Sequence, residues 1–199
     1  MTDAQSLHSD ALVIDSLVYH ADGWPDDLRV GGINAINVTS CHFECDFEQA
    51  CSEVARWNER FNQPDSAWMP IETTGDFDRA KNAGKIGAIL GWQNTRPIAD
   101  RIDRLHLFYK LGLRIMQLTY NYRNMIGDGC LEPEGAGLTT YGRDVVKVMN
   151  ELGIAIDLSH VGYRTAMDAI EVSEKPCLVT HANAYALSPL ARNLSLIHI

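Results

Sequence analysis

Two histidines in this chain stand where a metal ion could be held. His160 ends the run G-I-A-I-D-L-S-H that starts at Gly153, and His181 ends the run C-L-V-T-H that starts at Cys177. Ile154, Ala155, Ile156 and Leu158 make one short apolar stretch, and Cys177, Leu178 and Val179 make another. Stretches of this kind read as strands buried on both faces. Between them Ala166, Met167 and Ile170 recur at helical spacing. A strand, a helix and a second strand form one βαβ unit. It places the two imidazoles side by side at C-terminal strand ends, where α/β folds gather their ligands. Neutral imidazole is the commonest metal ligand. The alternative is two polar residues that close strands and hydrogen-bond to loop backbone. Cys41 and Cys45, with His42 between them, lack a second cysteine pair and read as buried or loop thiols.

The rest of the chain repeats the phrase helix, glycine, short apolar strand, polar residue, loop. It occurs around Gly84, Gly112 and Gly153. Strands are expected at Ala11–Ile14, with Leu17 and Val18 as an extension, and at Ile33–Val38, Ile86–Trp92, Leu113–Leu118, Ile154–Leu158 and Cys177–Val179. Helices are expected at Asp26–Val30, Phe47–Phe61, from an N-cap at Thr74 to Asn82, and at Asp100–Leu111, Tyr141–Leu152 and Tyr163–Val172. A long polar loop with Gly127, Gly129, Gly135 and Gly137 separates the fourth strand from the next helix, and loops of that length often carry function. Alternating βα units imply a parallel sheet. One rim then carries Asp15, Gln93, Tyr120, His160 and His181. A (β/α)8 barrel is the natural form, here incomplete, with about six of the eight βα units. A doubly wound sheet is the alternative, but no G-x-G-x-x-G turn follows the first strand.

Composition narrows the function classes. Of 199 residues 46% are hydrophobic, which excludes a disordered chain. A net charge of −9 argues against nucleic-acid binding. No apolar stretch is long enough to span a membrane, and the first ten residues lack a signal-peptide pattern. Five cysteines without a disulfide framework suit a reducing cytoplasm. The expected organisation is one domain over residues 1–193. The final Leu194-Ser195-Leu196-Ile197-His198-Ile199 matches one reading frame of a common sequencing adapter, so a truncated gene with a non-native tail is expected, against a genuine terminal strand.

These residues resemble the membrane (renal-type) dipeptidases, the M19 metallopeptidases of the amidohydrolase superfamily. The resemblance rests on L-G-I-A-I-D-L-S-H-V at Leu152–Val161, T-H-A-N-A-Y at Thr180–Tyr185 and Ala191-Arg192-Asn193. K-L-G-L-R-I-M-Q-L-T-Y-N at Lys110–Asn121 and G-L-T-T-Y-G-R at Gly137–Arg143 add to it. It implies a TIM-like barrel with two zinc ions at the C-terminal rim, hydrolysing dipeptides and related amides. His160 and His181 match two ligands of the second metal residue for residue. Arg192 matches an arginine that holds the substrate carboxylate, a role suited to a planar bidentate donor. Tyr120 stands at the position of a substrate-contacting histidine, and Gln93 at that of the glutamate bridging both metals. After Asp15 the chain has Leu17 and Tyr19 where the family has a His-x-Asp metal pair. His20 and Asp22 spell His-x-Asp three residues late, and a loop bulge would be needed to bring them into the first site.

The resemblance and its departures together give the functional expectation. The chain is expected to be a metal-dependent hydrolase of dipeptides or similar small amides, holding one zinc at Gln93, His160 and His181, or two if His20 and Asp22 contribute. The family's acid/base aspartate lies after the eighth strand, beyond this chain. A homodimer is expected of the full-length protein. The competing reading is a barrel that has lost hydrolysis and binds a small carboxylate ligand.

Overall fold

Short apolar strands followed by amphipathic helices fold here into a parallel sheet with helices packed on it. The computed structural model describes residues 4–19, 24–133 and 135–193. Its elements are α1 (Ala4–Asp10), β1 (Ile14–Val18), α2 (Pro25–Val30), β2 (Ala35–Thr39), α3 (Phe47–Phe61), β3 (Trp68–Pro70), α4 (Gly75–Asn82), β4 (Ile86–Trp92), α5 (Arg104–Lys110), β5 (Leu113–Gln117), α6 (Thr140–Leu152), β6 (Ala155–Asp157) and α7 (Tyr163–Val172). The strands run β1-β2-β4-β5-β6, every pair parallel, and β3 pairs with the start of β4. The sheet curls. Ser16 on β1 donates to the carbonyl of Thr180, past the far end of the sheet, at 2.6 Å. This is an incomplete TIM-like barrel of six strands.

The main core lies between the strands and α3, α5, α6 and α7. It centres on Trp92, Phe108, Met116, Met149, Ile156 and Ala169, all buried. Trp92 meets Phe108 edge-on at 4.4 Å. Helix boundaries have local causes. Asp46 and Gln49 form a reciprocal capping box on α3. On α6, Thr139 accepts from the amide of Gly142, and Gly153 ends the helix at φ +80°, a left-handed turn that glycine adopts without steric cost. Thr74, expected as an N-cap, is itself helical and makes no side-chain cap. The buried carboxylate of Asp76, inside the first turn, instead ties down the segment before the helix, accepting from the amides of Glu72 and Thr73.

Three strand expectations shift. The first strand begins at Ile14, and Leu17 and Val18 lie within it. Residues 68–70 add a short strand that the sequence does not announce, because it is three residues long and ends in proline. The run 177–179 does not form a strand. Leu178 alone bridges to Asp157, bonding to Ile156 and Leu158. Pro176, which has no N–H to give, limits the pairing on its N-terminal side. The helix expected from Asp100 begins at Arg104. His20, Asp22 and the 194–199 tail lie outside the described residues.

Phe108 is fully buried against Trp92 and Phe47. Phe108→Ala should lower stability by about 3–5 kcal/mol, read as a fall in the urea midpoint with an unchanged slope.

Candidate functional site

The two histidine segments are tied together by one buried carboxylate. Asp157 ends β6 and is 2% exposed. Its Oδ1 accepts from the amide and hydroxyl of Ser159 and from the amide of Thr180, and its Oδ2 accepts from the Thr180 hydroxyl at 2.7 Å. No lysine or arginine is paired with it among the described residues. Ser159 Oγ in turn accepts from the amide of His181 at 3.1 Å. His160 and His181 therefore come together, with ring centroids 4.9 Å apart.

The same contacts fix which ring nitrogen carries the proton. The Thr180 hydroxyl gives its only hydrogen to Asp157, so it must accept from His181 Nδ1 at 2.8 Å. His181 Nε2 is then unprotonated. It is buried and has no hydrogen-bond partner among the described residues. His160 Nδ1 lies 2.7 Å from Oδ1 of Asn121, which can only accept, so His160 Nε2 is unprotonated as well. Burial holds His160 mostly neutral, pushing its pKa down to about 4, with help from the Arg192 guanidinium and from His181. Burial also lowers His181, opposed by Asp157 and assisted by Arg192.

Arg192 lies against both rings. Its Nη2 donates to the carbonyl of His181 at 2.6 Å and sits 3.3 Å from His160 Nε2. Tyr120 stacks on His160 at 4.3 Å, and Phe43 stacks on Tyr120 at 3.9 Å, so one flank of His160 is walled by aromatic rings. Gln93 is buried. Its Nε2 donates to Thr39 Oγ1 at 2.7 Å, and its own carbonyl is held by Gln117 Nε2. Thus His160, His181, Arg192 and Tyr120 form one cluster, with Gln93 at the end of β4 turned toward β2. Asn121, Asp157 and Thr180 are the participants that motif reading misses. A lone aspartate in a buried strand signals Asp157, because such a carboxylate must find partners.

Cys41 and Cys45 are both buried. Each thiol is pushed above its ordinary value, chiefly by burial. They fit the reading as buried thiols.

A family model described as membrane dipeptidase (peptidase family M19) matches residues 34–195. The chain belongs to peptidase family M19. It is 34% identical over 121 residues to dipeptidase tcpJ of Claviceps purpurea, covering 60% of this chain and 28% of that protein. Among solved structures, an amidohydrolase from Pseudomonas aeruginosa is 35% identical, with a TM-score of 0.90 over 96% of this chain and 59% of its own. A metallopeptidase from Rhodobacter sphaeroides, solved with a phosphinate mimic of the dipeptide L-Ala-D-Ala, shares the fold at 21% identity and a TM-score of 0.82, over 94% of this chain and 69% of its own. The chain thus spans about a quarter of its curated relative and three fifths of the Pseudomonas protein.

Metallopeptidases share this fold, and two imidazoles here present an unprotonated Nε2 that a metal could take. His181 Nε2 is a buried acceptor with no partner, and His160 presents the same nitrogen unprotonated. At the first-strand positions Leu17 has no donor atom, and Tyr19 is a phenol 41% exposed. Among the described residues no group of three His, Cys, Asp or Glu side chains could hold a metal.

The depressed histidines set a pH dependence. An unfolded histidine has a pKa near 6.5 and binds more protons than folded His160 between that value and about 4. Stability of the metal-free protein should be full above pH 7 and fall as pH drops through that window. His160→Gln should flatten the fall, measured by urea melts at pH 7.5, 6 and 5 with chelator present.

Proposed function

We propose that the protein is a metal-dependent hydrolase of dipeptides or related small amides. One zinc would be held by the Nε2 atoms of His160 and His181 and by Gln93. The observation that carries this is the pair of imidazoles with ring centroids 4.9 Å apart, each donating its Nδ1–H to an accepting oxygen, of Asn121 or Thr180, which leaves Nε2 as a lone pair. The dipeptidase relative and the dipeptide mimic bound to the Rhodobacter protein support the substrate class. Gln93 would ligate through Oε1, because Thr39 takes its amide N–H.

The metal, when bound, polarises the scissile carbonyl and acidifies water. The chain's own residues do the rest. Arg192 offers a planar donor fork to a substrate carboxylate beside the two imidazoles. Tyr120 limits approach from its side by stacking on His160. Asp157 does not carry the reacting proton, because four accepted hydrogen bonds already occupy it.

Elemental mass spectrometry of the zinc-supplied protein tests the metal. About one metal per chain is expected, lost in His160→Ala and in His181→Ala. Two metals would restore a first site, through His20 and Asp22. No metal above background would overturn the hydrolase reading. It would leave a barrel that binds a small carboxylate, which the placement of Arg192 and the uncharged Leu17, Tyr19 and Gln93 favour. Arg192→Met should raise KM for a dipeptide by roughly 30-fold, about 2 kcal/mol of lost charge-assisted hydrogen bonding, with a smaller change in kcat.

A further inference from the structure

We propose that Asn121 is a positioning residue that sets the His160 imidazole in its Nδ1–H form and aims Nε2 into the site. Neither spacing nor periodicity gives it a role, and it lies on the loop after β5, away from the segment after β6 that carries His160. Its Oδ1 is 2.7 Å from His160 Nδ1. An exposed histidine prefers the other tautomer, with the proton on Nε2, so a dedicated acceptor is needed to reverse that preference.

The backbone around this contact is built to hold it. Asn121 and His160 both have left-handed backbone, at φ +63° and +61°. Asparagine tolerates that region better than most residues, whereas histidine pays for it locally. Two adjacent amides clip the pair. The amide of Cys130 donates to the His160 carbonyl at 2.9 Å, and that of Leu131 to the Asn121 carbonyl at 2.8 Å. Gly129 precedes them and bridges to Val161. A Cβ on Gly129 would fall 2.2 Å from the carbonyl carbon of Asn121, so only glycine lets the two loop limbs approach this closely. The Cys130 thiol also points at Asn121 Oδ1, at 3.5 Å, as a weak second donor. The loop thus closes on itself through Asn121, and its side chain is spent on the imidazole.

A left-handed histidine, two adjacent backbone clips and a protonation-setting acceptor are the arrangement expected where ring orientation matters more than local comfort. Partners of this kind typically change metal affinity by about 10- to 100-fold. The effect on the ring does not depend on a metal. The effect on affinity rests on the hydrolase reading above.

Two readouts separate them. Long-range ¹H–¹⁵N spectra of the metal-free protein at pH 7.5 report the His160 tautomer, assigned by the signal lost in His160→Gln. Zinc titration against a chromophoric chelator reports affinity. The expected result is Nδ1–H in the parent protein, a shift toward Nε2–H in Asn121→Leu, a 10- to 100-fold weaker zinc affinity in that variant, and recovery of both in Asn121→Asp. An Nε2–H tautomer in the parent protein would overturn the proposal without any variant. So would an Asn121→Leu protein that keeps Nδ1–H and binds zinc within about twofold of the parent. If the tautomer shifts as expected while the parent protein binds no zinc, the assignment of Asn121 stands and the metal reading falls.

Discussion

The rest of the structure depends on a buried anion without a buried cation. Asp157 has no lysine or arginine paired with it among the described residues. It is held by four hydrogen bonds from Ser159 and Thr180. An unpaired carboxylate in an apolar interior would cost several kcal/mol, so those donors are obligatory. Meeting that obligation brings the residue-180 segment against the end of β6, although only Leu178 pairs there as a strand would. The histidines are carried along, one on each donor segment. The site's geometry is therefore a by-product of satisfying one charge.

How far the sequence disclosed this depends on how far each feature follows from pattern alone. The apolar runs at 86–92 and 113–117 appear as strands because their residues are buried on both sides. The stripe of Ala50, Val54 and Trp57 appears as one face of α3, since a 3.6-residue period can serve only one buried side. His160 and His181 were legible as a pair because both follow apolar runs. Their protonation was not. It is decided by Asn121 and Thr180, which touch the rings through folded geometry and carry no pattern of their own. The stretch at 177–179 looks like a strand but pairs at one residue, since pairing needs a neighbour as well as apolar content. Trp68–Pro70 pairs although it looks like loop, because β4 offers it an open edge.

The electrostatics of the cluster differ from those of the whole chain. The protein carries a net −9, yet the cluster holds two neutral imidazoles, a neutral amide and one guanidinium. The carboxylate of Asp157 beside them already accepts four hydrogen bonds. The Arg192 guanidinium is the positively charged member of this cluster and can partner an anion. A small ligand with a carboxylate matches that local charge. An extended cationic one does not.

The aromatic stacking on His160 reaches further than the site. His42, Phe43, Tyr120, His160 and His181 form a continuous file of rings, each 3.9 to 4.9 Å from the next. Rigid plates in a file leave little slack between neighbours, so a change of thickness at one end displaces the others. Substitutions within it are then coupled by contact, and their effects should not add. A smaller ring in place of Tyr120 would loosen Phe43 on one side and His160 on the other, because Tyr120 stacks on both.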